Sequence, residues 1–91
     1  MGNLSAPAKV FFSESANDLC NFTLSRNFIS VATYTGLPYN DDHGHYIGFL
    51  VTDNPRIIPG DFLIHGKNKL FITEIDYDKY QGQKEIMKAY Y

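Results

Sequence analysis

Ile57-Ile58-Pro59-Gly60-Asp61-Phe62-Leu63-Ile64-His65-Gly66-Lys67-Asn68-Lys69-Leu70-Phe71-Ile72-Thr73-Glu74-Ile75 reads as a chain reversal followed by a β-hairpin. Pro59 fixes its own φ, and Gly60 tolerates the positive φ that a type II turn asks of the next residue. Residues 62–65 then form a short apolar strand, 66–68 a tight connection, and 69–77 a longer returning strand. The expected core is Phe62, Ile64, Phe71 and Ile75, joined by Phe49 and Val51 from the preceding strand.

Working outward, residues 46–53 alternate with Ile47, Phe49 and Val51 on one face and stop at Asp53-Asn54-Pro55, which marks a strand. Before it, Gly36, Pro38, Asn40, Asp41, Asp42 and Gly44 are a dense set of turn formers, read as a loop of about ten residues over 36–45. Residues 21–35 are rich in Phe, Ile, Val, Thr and Tyr, but the alternation changes phase. Phe22 and Leu24 share one parity, Ile29 and Val31 the other, so a bulge or tight turn is expected near Ser25-Arg26-Asn27. Residues 10–20 leave a helical turn and a loop equally open, and residues 1–9 read as a flexible N-terminal arm. At the other end, 78–83 is a polar link and 84–91 a last strand, with a short helix as the alternative on propensity. The fold class is therefore mainly β: a single domain over 10–91, a small β-barrel or two-sheet sandwich of five to six short strands, with an arm before it and a long inter-strand loop.

Composition supports one modest core. The chain has 91 residues, 44% hydrophobic and 15% aromatic with no Trp, which suits a pleated, half-buried surface. A formal net charge of −2 and the lack of any Lys or Arg block argue against a general nucleic-acid binder. Cys20 stands alone and reads as a small buried hydrophobe in a reducing compartment. No apolar run approaches the ~20 residues of a membrane span, so no membrane association is expected.

Chemistry is sparse. His43 and His45, two apart on an extended segment, could share a metal if His65 or a carboxylate completed the site. The segment Asp41-Asp42-His43-Gly44-His45 is also ordinary turn chemistry, however, and no metal is expected. No nucleophile elbow, Cys/His pair or phosphate-cradling glycine motif is present, so neither an enzyme nor a cofactor is expected. Tyr39 and Tyr46 flank the loop, Tyr77 and Tyr80 the last link, and Tyr90-Tyr91 the C-terminus; such residues serve interfaces or close the ends of small β folds.

A strand ending near Asn54-Pro55 is followed by Ile58-Pro59-Gly60-Asp61, a strand, a hairpin tip with Gly66, Phe71-Ile72-Thr73-Glu74-Ile75-Asp76, a Gly-containing link and a final strand. In this order residues 47–91 resemble the C-terminal half of the small head-to-tail joining proteins of tailed bacteriophages, of the lambda-type connector or tail-attachment kind. The opening strand at 22–24 and the loop after it also fall where that group has them. The resemblance implies a virion protein, assembled from the host cytoplasm, that is monomeric alone. It would form a homo-oligomeric ring between portal or adaptor and tail proteins, with DNA passing through the lumen without sequence-specific binding. It also implies that the arm and the loop order on assembly, which makes Leu4, Lys9, Tyr39, Asn40, Asp41, Asp42, His43, His45 and Tyr46 the candidate interface. Residues 10–19 are more apolar than a free arm need be, and the acidic, His-containing loop departs from the pattern. The alternative is an OB-like or SH3-like module for peptide or single-stranded nucleic acid, which a missing basic groove disfavours.

Overall fold

The computed structural model describes residues 3–91. Apolar alternation builds seven strands: β1 Cys20–Arg26, β2 Ile29–Asp41, β3 Gly44–Leu50, β4 Phe62–His65, β5 Asn68–Phe71, β6 Glu74–Tyr80 and β7 Gln83–Tyr90. One helix, α1 (Ala8–Glu14), precedes them, with 3₁₀ turns at Ala16–Asp18 and Val51–Asp53. The strands form one antiparallel sheet in the order β5-β4-β1-β2-β3-β7-β6, open at its two ends. The mainly β reading holds, with seven strands rather than five or six.

β2 is thirteen residues long and serves both halves of the sheet. Its first part pairs with β1 as far as Gly36, and its second pairs with β3 from Leu37 onward. Gly36 is where the strand changes partner, and a Cβ there would lie 2.5 Å from Ile47 Cγ2 and 2.7 Å from Phe49 Cε1. Only glycine lets the backbone approach this closely. The two halves then enclose one core: Phe22, Leu24 and Leu63 from one, Ile47, Phe49, Met87 and Ala89 from the other, with Ile57 and Ile72 between. Phe22 and Phe49 meet edge to face at 6.1 Å.

Several sequence expectations change here. The loop expected over 36–45 is a hairpin: Leu37 to Asp41 pair residue by residue with Gly48 to Gly44. The turn formers act only at its tip, and Pro38 is accommodated because this part of β2 has β3 as its sole ladder partner. The long strand over 69–77 is two strands. The chain crosses between sheet halves at Ile72-Thr73, where the Ile72 amide donates to Asp61 O (2.9 Å) and the Thr73 amide to Tyr90 O (2.8 Å). The β4 register is opposite to that expected. Leu63 and Ile72 point inward, Phe62 and Ile64 are half-buried, and Phe71 is 51% exposed. Phe49 is in the core as expected, while Val51 and Ile75 are half-buried.

The phase change in 21–35 is both a bulge, between Leu24 and Ser25, and a turn at Asn27-Phe28. The last strand expected over 84–91 is present as β7, which ends at Tyr90, and 10–20 are mostly helical. Of the expected arm, Met1 and Gly2 lie outside the described residues. Asn3 bridges Lys79, Leu4 donates its amide to Lys79 O at 2.7 Å, and Ala8 is 1% exposed, so the boundary drawn at Lys9 falls inside α1. Cys20 is half-buried, with its thiol 3.7 Å from Asp18 O.

Candidate functional site

On an antiparallel sheet, residues paired across strands share a face. Tyr46 of β3 lies opposite Tyr90 of β7, itself opposite Glu74 of β6, and Lys88 lies between Gly48 and Asp76. Asp78 lies opposite Ile86. The outer face of the β3-β7-β6 half thus sets three carboxylates of β6 beside Tyr90, Lys88 and Ile86.

The β2–β3 turn closes this arrangement. Asp41 accepts the amides of His43 (2.8 Å) and Gly44 (3.2 Å) on one carboxylate oxygen. Its other oxygen accepts the Tyr90 hydroxyl at 2.7 Å and lies 3.2 Å from Lys88 Nζ. Lys88 Nζ is also 3.0 Å from Asp78 Oδ1, and its side chain is only 5% exposed. The ammonium lies over the rings of Tyr46 and Tyr90 at 5.3 and 5.6 Å, so its carbon stem is sheltered while its charge is balanced.

The electrostatics follow from these contacts. Tyr90, above all, holds the Asp41 carboxyl well below the usual range against the opposing effect of burial, with further help from the His43 amide, Lys88 and the Gly44 amide. Burial pulls the Lys88 ammonium down, but its hydrogen bonds to Tyr90, Asp78 and Asp41 outweigh it and raise the pKa. Burial and the neighbouring Asp78 charge push Tyr46 up to about 12, and burial followed by Asp41 raises Tyr90. A lysine so held stays charged, the reverse of the desolvated amine that nucleophilic or base chemistry needs.

Two depressions border this cluster. A pocket of about 450 Å³ is bounded by Asp41, Asp42, Asp76, Asp78 and Lys88, with His43 at its rim. A more apolar recess of about 260 Å³ adjoins it through Tyr46 and Asp78, walled by Leu4, Phe11, Phe12, Leu37, Tyr39 and Ile86. The helix explains the recess: Ala8 and Phe12 pack on Ile86 and leave Phe11 beside Tyr39.

Of the nine candidate residues, the structure gathers Asp41, Asp42, His43 and Tyr46 around the acidic pocket, and Leu4, Tyr39 and Tyr46 around the recess. Asn40, His45 and Lys9 are exposed and line neither. His43 and His45 do not share a partner: His43 Nε2 meets Glu74 Oε1 at 2.8 Å, and His45 stacks on Tyr91. His65 engages Asn21 O instead. Among the described residues no three His, Cys, Asp or Glu side chains converge as a metal site. Sequence reasoning missed Lys88, Glu74, Asp76 and Asp78. The available signals were a lone Lys inside Ile86-Met87-Lys88-Ala89-Tyr90 and the alternation of acids in Glu74-Ile75-Asp76-Tyr77-Asp78.

No family model matches the chain, and no curated protein or solved structure matches it.

Proposed function

We infer that this protein is a non-catalytic assembly component of a tailed-phage particle, a ring-forming connector between portal and tail. The reading is carried by the order of motifs along 47–91, in which the Ile58-Pro59-Gly60-Asp61 turn, the Gly66 hairpin and the last two strands follow the head-to-tail joining proteins. The turn is well made: Asp61 is 2% exposed, accepts the Ile58 amide at 3.0 Å, and pairs with Arg26 at 2.7 Å. Such a turn fixes where β4 begins, and so the whole hairpin.

Two physical features agree with this reading. The polar cluster around Lys88 holds charges in place rather than moving protons, which suits a scaffold. The carboxylates around it would repel DNA phosphates, which suits a ring through which DNA slides.

The test is disruption of the gene in the genome that encodes it, followed by electron microscopy of the lysate. Filled heads and free tails that do not join, restored to joined particles when the protein is supplied, are expected. Joined particles at normal yield without the protein would overturn the proposal.

A further inference from the structure

β1 and β2 are joined by the two-residue loop Asn27-Phe28, with φ of 53° and 67°. Positive φ at both central residues is the type I′ geometry, which favours Asn followed by Gly. Asn27 fits this pattern; Phe28 does not. A bulky residue there bears a steric cost, and its ring is 96% exposed, so the phenyl group recovers nothing within its own chain. Ile29 and Val31 continue the apolar surface at 64% and 51% exposure. The chain's two arginines lie at this end as well. Arg26 pairs with Asp61 and reaches Arg56 O at 2.9 Å, and Ile58 beside them is 51% exposed.

The recess walled by Phe11, Phe12 and Tyr39 has the complementary character. A cavity of about 150 Å³ accommodates benzene, so an opening of about 260 Å³ has room for one phenyl ring and part of an aliphatic neighbour. It adjoins the pocket in which Asp41, Asp42, Asp76 and Asp78 outnumber Lys88, a net negative border, whereas at the tip Arg26 is balanced by Asp61 and Arg56 adds a net positive charge. Phe28 is 96% exposed and is not among the residues that wall the recess, so tip and recess do not meet within one chain.

We propose that the recess is filled by a second copy of this chain: Phe28 of one subunit seats between Phe11, Phe12 and Tyr39 of the next. A contact between two different patches is heterologous, so it repeats from copy to copy and closes a ring where the rotation allows. The proposal rests on the reading of the protein as a ring component and names the contact that builds the ring. A single aromatic anchor buries much less than the ~1,000 Å² of a stable interface, so free subunits associate weakly until neighbouring proteins align them.

Disulfide trapping reads such weak contacts. In a Cys20→Ser background, chains carrying Ile29→Cys are mixed with chains carrying Ser15→Cys, at the rim of the recess, under mild oxidation. The expected result is a cross-linked pair, a ladder of oligomers from the doubly substituted chain, and a loss of trapping of roughly tenfold or more when Phe28→Gly is added. Gly suits the turn, so that variant keeps its fold, which circular dichroism verifies. Trapping no faster than with Thr33→Cys in place of Ile29→Cys, or unchanged by Phe28→Gly, would overturn the contact. Failure of trapping with unjoined heads in the gene disruption refutes this contact alone. Trapping that succeeds while the disruptant still yields joined particles refutes the connector reading and leaves the contact standing.

Discussion

On β7 the outward-facing Ile86, Lys88 and Tyr90 are 8%, 4% and 4% exposed, whereas on β2 the outward-facing Ile29 and Val31 are 64% and 51% exposed. Both sets lie on the same continuous sheet. The first is covered by α1 and by the Asp41 turn; nothing among the described residues covers the second. The turns repeat the contrast. β6 and β7 are joined by Gln81-Gly82, with φ of 51° and 80°, and β1 and β2 by Asn27-Phe28 with φ of 53° and 67°. The same positive-φ geometry carries glycine at one end and a fully exposed phenylalanine at the other. One half of the sheet is finished by its own chain, and the other keeps apolar residues at a steric cost that folding alone does not explain.

The covered half is broken most severely at Lys88. Lys88→Ala leaves Asp41 and Asp78 facing each other without their cation, and removing one partner of a buried pair typically costs about 3–5 kcal/mol. Urea unfolding should show a loss of that order, against about 0.5 kcal/mol or less for Lys84→Ala, an exposed position on the same strand. Equal losses at the two positions would mean that the cluster does not hold this face together.

The join between the halves is the next most sensitive place. At Gly36→Ala the new methyl would overlap Ile47 and Phe49, which are 1% and 0% exposed and have no room to retreat. Overpacking of this kind costs about 1–3 kcal/mol. Gly66 and Gly82, whose added Cβ would meet nothing within 4 Å, owe their glycine to positive φ instead. The check is thermal unfolding: Gly36→Ala should lower the midpoint, and a variant as stable as wild type would show that β2 does not bend closely over the core.

How much of this was legible depended on parity. Ile47 and Phe49 are separated by Gly48, which offers no competing side chain, so their shared inward direction could be read directly. Phe62-Leu63-Ile64 is apolar at both parities, and choosing the aromatic residues sent the wrong face inward. The Gly36 to His45 region misled for a different reason: Gly36 and Pro38 are there for close packing and a single-sided strand, not for a turn, and only Asp41-Asp42-His43-Gly44 is loop chemistry. The site was half legible. Asp41 and Tyr46 were candidates through their place near the turn, while Lys88 and Asp78 become visible only once β7 is laid between β3 and β6.

Proton linkage sharpens the comparison further. Asp41 and Asp61 both have carboxyl pKa values below their ordinary 3.8, Asp41 chiefly through the Tyr90 hydroxyl and Asp61 chiefly through Arg26. A depressed carboxylate contributes stability above its unfolded value, and that contribution is lost as the pH falls through the folded value. The protein should therefore weaken below about pH 4. Tyr90→Phe removes the first cause at Asp41 and should lower stability at neutral pH while flattening the acid side of the profile. At the alkaline end the sign reverses. Tyr46, pushed up to about 12 by burial, stabilises below its ordinary 10.0, and that contribution is lost as the pH rises from there toward 12. An acid profile for Tyr90→Phe that parallels wild type would remove Asp41 from the account.

On the open half the expected effects are smaller. Phe71 is 51% exposed and touches Phe62 at 5.2 Å, so Phe71→Ala should lose about 1 kcal/mol, the order of one exposed aromatic pair. A loss near the 3–5 kcal/mol of a buried phenylalanine would restore Phe71 to the core and reverse the β5 register.

Phe28→Gly carries the smallest effect, and its sign is its value. An L-residue in the left-handed region costs roughly 1–2 kcal/mol relative to glycine, and glycine gives back part of that through the greater freedom of its unfolded chain. A net gain of about 0.5 kcal/mol is expected, measurable as a small rise in the unfolding midpoint. Gly82 supplies the reference, since Gly82→Phe puts the same bulk into the same geometry and should lower stability by a similar amount. If both changes behave this way, the two turns are equivalent in their backbone, and the phenylalanine at position 28 is held against the interest of the fold. A Phe28→Gly variant that instead loses stability would mean that the ring packs on its own chain in solution, and the exposed tip would no longer call for a partner.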